Sequence, residues 1–175
     1  TVPIELMIHR EVGDVRGVGD GFVGAEIPYV ASSLSMLLIV PDQGRFDEIR
    51  DRLSQDLLAE IDSTFAAGAY ELQLPKWEST TQIDLIPWLQ EIGAAPGLYP
   101  GITPGSFLDG AVHGADIAVD EMGTVAAAAT ALGFAESAAD PGDLTVRADR
   151  PFIYLIRHRP SGLVLFAGQV TNPNA

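Results

Sequence analysis

The side chains able to do chemistry are few in this chain: three histidines, twenty-four acidic residues, ten basic ones and no cysteine. Lack of cysteine excludes disulfides, thiolate metal sites and a thiol nucleophile, and leaves the redox compartment open. A serine nucleophile needs a strained elbow or a Ser/His/Asp set, and no G-x-S-x-G occurs. Asp120 and Glu121 are adjacent, so on a strand they point to opposite faces and cannot flank one substrate as an acid–base pair. His9 and His158 stand at strand ends beside arginine, while His113 falls on the apolar face of a strand; all three read as hydrogen-bonded structural residues. No H-E-x-x-H, phosphate-loop or dinucleotide fingerprint occurs. The expectation is a protein that is not an enzyme, with no catalytic residue, no metal and no cofactor.

Chemistry done to the chain is a different matter. Between Val119 and Asp143 lie about twenty-five residues with no core-facing pattern, bracketed by strand-like blocks. A loop that long in a compact domain is usually functional or disordered. The run Ala126–Ala129 has the best helix propensity, yet helices shorter than about 12 residues are marginal in water, and Gly123 and Gly133 flank it without an amphipathic stripe. Small side chains also let a segment slide between neighbouring strands and pair its backbone on both sides, so insertion as a strand is an admissible use of this composition.

The elements that must position this stretch follow from periodicity. Ile4 to His9 reads as a strand, Gly13-Asp14 and Gly19-Asp20-Gly21 as turns, and Phe22 to Pro28 as extended chain. Leu34 to Val40, ending at Pro41, is nearly continuous apolar, which suits a strand buried on both faces or a short buried helix. Phe46, Ile49, Leu53 and Leu57 recur at helical steps. A second helix is expected from Ser54 to about Phe65, with its stop at Gly68, before a strand from Tyr70 to Pro75. Asp84 can cap a helix carrying Leu85, Trp88, Leu89 and Ile92, with Pro87 in the first turn and Gly93 at the stop. Gly97 to Gly105 reads as loop. Ala111 to Glu121 reads as a strand with Ala111, His113, Ala115, Ile117 and Val119 on one face. Phe152 to Arg157 and Leu163 to Val170 form a hairpin through Arg159-Pro160-Ser161-Gly162. The fold class is α+β, mostly antiparallel strands with three modest helices, without internal repeat or interdomain linker.

Charge narrows the partners. A net charge of −14 repels phosphate backbones and acidic membrane surfaces, which argues against nucleic acid and against a polyanionic cofactor. No stretch approaches the roughly 20 consecutive apolar residues that span a bilayer, so no membrane partner is expected. The chain opens Thr1-Val2-Pro3 without a basic region or apolar core of a signal peptide, and reads as cut from a longer protein.

Several motifs then point one way. Glu121-Met122-Gly123-Thr124-Val125-Ala126-Ala127-Ala128-Ala129-Thr130 resembles the hinge of an inhibitory serpin's reactive-centre loop. Val146 to Ile156 resembles that family's signature, and Leu165 to Pro173 its C-terminal strand and end. Leu34 to Pro41, Leu74-Pro75-Lys76-Trp77 and Val112-His113-Gly114-Ala115 occur in the family's order, with Gly114 where lysine is commoner. The resemblance covers essentially the whole chain and matches the C-terminal half of a serpin.

The resemblance implies a partial serpin fold in which residues 1–175 belong to a single domain whose N-terminal half is absent, with 121–145 as the reactive-centre loop. It implies a suicide substrate: a serine protease attacks the loop, becomes acylated, and is carried away as the hinge inserts into a large sheet, called A. Thr124, Ala126, Ala128 and Thr130 would alternate toward the interior, which period-two geometry permits because all are small and uncharged. The family's spacing from Glu121 puts the scissile bond at Ser137–Ala138, or at Glu136–Ser137 with a one-residue slip. No Arg or Lys stands nearby, which favours an elastase- or subtilisin-like target over a trypsin-like one. His113 matches a buried structural histidine where sheet A opens, and Lys76 with Glu121 an ion pair at the top of that sheet. The resemblance favours an extracellular protein. A chain lacking its first half would expose strand edges and apolar surface, so the missing half, or another chain adding a strand, is an expected partner; a non-inhibitory binding or chaperone-like serpin is the alternative function.

Overall fold

The computed structural model describes residues 6–29, 33–94, 96–99, 101–121, 123–125, 130–131 and 144–173. In chain order the elements are β1 (Leu6–Gly19), β2 (Phe22–Pro28), β3 (Leu34–Pro41), α1 (Phe46–Asp51), α2 (Gln55–Thr64), β4 (Ala66–Pro75), β5 (Trp77–Asp84) and α3 (Ile86–Glu91). They continue as β6 (Gly97–Leu98), β7 (Phe107–Leu108), β8 (Val112–Asp120), β9 (Gly123–Val125), β10 (Thr130–Ala131), β11 (Leu144–Arg147), β12 (Phe152–His158) and β13 (Leu163–Val170). The chain divides into two compact units, one of Thr1–Trp77 with Val119–Ala175 and one of Glu78–Ala118.

The larger unit is built on a seven-stranded sheet of order β11-β4-β1-β2-β3-β12-β13. The ladders are antiparallel, apart from β11, which runs parallel to β4 with Val146 beside Leu72. β3 and β12 are central and buried along almost their whole length. That is why both read as uninterrupted apolar runs: a strand covered on both faces has no side to keep polar. The helical alternative for Leu34–Val40 falls here. On one face, α1 and α2 cover Phe22, Leu37, Ile39, Ile153 and Leu155 with Ile49, Leu57, Leu58 and Ile61; each such side chain contributes about 1.5–3 kcal/mol by leaving water. Trp77 meets Phe152 edge-on at 5.3 Å between ring centroids, and Tyr154 at 5.5 Å. Tyr154 lies across Gly168, where an added Cβ would stand 2.2 Å from its hydroxyl, so the smallest residue on β13 makes room for the ring.

Several expectations need correction. Gly13-Asp14 is no turn: β1 runs through it, and the register against β4 shifts between Gly13 and Arg16. A residue pair suited to a turn is here absorbed as a bulge inside a long strand, which can bend there and change partner from β4 to β2. The turn at Asp20-Gly21 holds, with Gly21 at φ 84. The stripe Phe46–Leu57 belongs to two helices, because α1 stops at Asp51 and α2 begins afresh with the Ser54 hydroxyl accepting from the Leu57 amide at 3.3 Å. The helix expected from Ser54 to about Phe65 is α2, Gln55–Thr64 with Phe65 as its C-cap, and the stop comes before Gly68 because Ala66 to Pro75 is taken up by the β1 ladder. Tertiary pairing outweighs local helix propensity at that point.

The smaller unit holds β5, α3, the β6–β7 pair and most of β8. The N-cap of α3 is Leu85 rather than Asp84, which stands one residue earlier and whose carboxylate accepts from the Ile86 amide at 2.9 Å; Pro87 sits in the first turn. The Gly97–Gly105 segment is not wholly loop, since Gly97 pairs with Leu108 and Leu98 with Phe107. α3 buries none of its residues. No helix among the described residues is long and apolar enough to cross a membrane.

Candidate functional site: the hinge and its anchor

β8 ends at Asp120, Glu121 makes the turn, and β9 follows at Gly123–Val125. β9 neighbours β8 in the sheet and is paired on its other side by β10, with Thr124 opposite Thr130 and Gly123 opposite Ala131. Gly123, Thr124 and Val125, the first residues of the expected hinge that follow Met122, are thus extended, paired backbone. Alternation explains the start of this path: Ile117 and Val119 are buried on one face of β8 while Asp116 is exposed on the other.

Glu121 is anchored at once. Lys76, in the single-residue step between β4 and β5, donates to its carboxylate at 2.6 Å, and both side chains are about half exposed. The Lys76 bond, followed by a bond from its own backbone amide, holds the Glu121 carboxyl below the usual carboxylate range. The pair ties the start of the hinge to the β4–β5 corner, beside Trp77 and its aromatic neighbours.

His113 departs from expectation. It is exposed, whereas Ile117 and Val119 on the same face are buried; the described residues cover that face only from its middle onward. His158, by contrast, holds Ser161 Oγ at 2.7 Å from Nδ1 across the β12–β13 turn, the structural role expected of it. The side chain of His9, the hinge residues Ala126 to Ala129 and the scissile candidates Glu136, Ser137 and Ala138 lie outside the described residues.

One cluster escaped the sequence reading. Arg157, the next-to-last residue of the buried strand β12, donates from Nε to Glu26 at 2.7 Å and from both terminal nitrogens to Asp62 at 3.0 and 2.6 Å. The Ser35 hydroxyl donates to the same Glu26 oxygen at 2.6 Å, and Arg159 stands 3.5 Å from the other. Burial works against the Arg157 charge, and the bonds to Asp62 and Glu26 outweigh it, so its pKa is raised. These charges border a cleft of about 560 Å³, but two guanidiniums and two carboxylates balance one another, which makes the cluster a clasp between β2, β12 and α2. A signal was present: an arginine following five apolar residues, and a glutamate in Gly24–Pro28, are charges in central strands, and such charges are buried only with partners.

The described residues thus form a strand-rich fold in which Gly123–Val125 follows β8 directly after the Lys76–Glu121 ion pair. The sequence profile described as Serpin (serine protease inhibitor) matches residues 1–173. This chain belongs to the serpin family. It is 32% identical over 162 residues to an uncharacterised serpin-like protein of Thermococcus kodakarensis, covering 88% of this chain and 38% of that one. It is 34% identical over 158 residues to human serpin B13, covering 84% of this chain and 40% of that one. Among solved structures, the thermophilic serpin tengpin in its native state superposes with a TM-score of 0.75 at 23% identity, over 97% of this chain and 46% of that one. The α+β serpin fold is therefore established, and the chain spans less than half the length of these relatives.

Proposed function

We propose that residues 1–175 are the C-terminal part of a single serpin domain, and that the whole protein inhibits a serine endopeptidase as a suicide substrate. In this reading residues 121–145 are the reactive-centre loop. The protease's serine oxygen bonds to the Ser137 carbonyl carbon, the peptide bond to Ala138 breaks, and the Ala138 nitrogen leaves as an amine. The hinge Glu121, Gly123, Thr124, Val125, Ala126, Ala127, Ala128, Ala129 and Thr130 then enters the sheet as a strand before water can cleave the ester. Strain stored in the uncut protein drives that step. The observation that carries the reading is β9: directly past the Lys76–Glu121 anchor the hinge is already extended and paired beside β8.

The bait Phe134-Ala135-Glu136-Ser137-Ala138-Ala139 contains no Arg or Lys, so the target has an elastase- or subtilisin-like pocket rather than an acidic one. The N-terminal half covers the faces this chain leaves open, including the end of β8 that carries His113. The full-length protein mixed with elastase, subtilisin and trypsin should form an SDS-stable complex with one of the first two, with the loop cut after Ser137 or Glu136 by mass spectrometry. Absence of such a complex with every serine protease tried removes the inhibitory reading.

A further inference from the structure

The hinge does not end freely at β9. β9 and β10 pair antiparallel in a fixed register, Thr124 opposite Thr130 and Gly123 opposite Ala131. Residues directly opposite in such a ladder have Cα atoms roughly 4.5–5.5 Å apart. In one continuous inserted strand the same two threonines, six residues apart in sequence, stand roughly 20 Å apart at about 3.3 Å per residue. The two arrangements exclude each other. With β8 on one side and β10 on the other, both edges of β9 are in use, so a neighbouring strand can pair there only after β10 has left.

We propose that this self-pairing is a catch: the distal part of the hinge occupies the edge of the proximal part and holds the loop out of the sheet until it opens. The proposal deepens the inhibitory reading and rests on it for its consequence. Insertion proceeds only from molecules with the catch open, so its rate scales with that fraction; a catch closed in nine molecules of ten slows insertion about tenfold. Slower insertion gives the ester longer to hydrolyse, which raises the number of inhibitor molecules consumed per protease trapped.

The register supplies the test, made in the full-length protein. Thr124→Cys/Thr130→Cys and Val125→Cys/Ala131→Cys both enclose the same length of chain, so a hinge without register closes the two disulfides at similar rates. In the observed register only the first pair is directly opposite; Val125 and Ala131 are diagonal neighbours at roughly 7–8 Å, beyond the reach of an unstrained disulfide. These 175 residues contain no native cysteine, so a loop disulfide is assigned directly by peptide mass spectrometry. The 124/130 pair should oxidise at least tenfold faster than the 125/131 pair, and equal rates overturn the catch whatever the protein does to a protease. A faster 124/130 pair in a protein that traps no protease leaves the self-pairing standing and removes the inhibitory reading alone.

Discussion

The two compact units of this chain use similar sequence patterns and reach opposite ends. In the larger, the helical stripe Leu57, Leu58 and Ile61 is buried against the seven-stranded sheet. In the smaller, the stripe on α3 is patterned in the same way, yet Trp88 is 63% and Ile92 79% exposed. Leu98, Ile102, Phe107 and Val112 are exposed with them. Amphipathic spacing therefore encodes a face to be covered and says nothing of whether the cover lies in the same chain. Tengpin, at roughly twice this length, supplies the comparison: the chain covers 46% of it. Under the reading proposed above, the smaller unit was selected against a surface that this chain does not carry.

The contrast can be broken most forcefully at the clasp. Arg157→Met leaves Glu26, whose side chain is 3% exposed, with only the Ser35 hydroxyl and a distant Arg159. Removing one partner of a buried ion pair costs roughly 3–5 kcal/mol, whereas replacing both is often close to neutral. Urea denaturation should show Arg157→Met strongly destabilised and Arg157→Met/Glu26→Leu recovering part of the loss. If the double variant is as unstable as the sum of the singles, the clasp is not a coupled unit.

A matched pair of truncations measures the contrast itself. Ile61→Ala removes a side chain with no exposure and should cost about 2–5 kcal/mol. Ile92→Ala should stay within about 0.5 kcal/mol in this chain, as exposed substitutions do. In the full-length protein the cost of Ile92→Ala should rise toward that of a core residue; if it does not, the exposed face of α3 was never meant for the other half. Smaller than the loss at Ile61, the effect of Gly168→Ala comes from setting a Cβ 2.2 Å from the Tyr154 hydroxyl. Overpacking of that kind costs about 1–3 kcal/mol. Gly162→Ala, where a Cβ would meet nothing, is no fair control, because its φ of 67 is itself strained for alanine. Gly114, with open space and no positive φ, serves instead and should tolerate alanine.

What could be read in advance follows the same division. β3 and β12 were legible because double burial leaves an apolar run that local sequence states outright. α2 was legible at its start, where Ser54 caps it, and at its end near Phe65, but the next strand starts at Ala66 rather than Tyr70, because the ladder that claims it is formed with β1 far away in sequence. β5, Trp77–Asp84, gave no strand signal, as Trp77 alone of its residues is buried. The pairing of Thr124 with Thr130 is a matter of register that a run of alanines cannot specify. The clasp joins residues from β2, α2 and β12, so no local window could contain it. His113 was misplaced for the converse reason: alternation gave its face correctly, while burial of that face depends on what lies against it.

The smallest expected effect sits at the Lys76–Glu121 pair. Glu121 holds its proton less readily in the folded protein because Lys76, and then its own amide, favour the carboxylate. Between the folded and unfolded pKa values the unfolded chain therefore binds more protons, and stability rises with pH. The contribution is complete above the ordinary carboxylate value of 4.5 and is lost as pH falls through the lower folded value. Glu121→Gln should remove that dependence while leaving the curve at pH 7 nearly parallel to wild type, and added salt should weaken it, since the pair is exposed. Lys76→Met should remove most of the same acid dependence through the other partner. Urea midpoints measured from pH 3 to pH 7 decide it: if the Lys76 and Glu121 variants titrate like the wild type, the anchor is a contact without energetic coupling, and the hinge is positioned by the β8–β9 pairing alone.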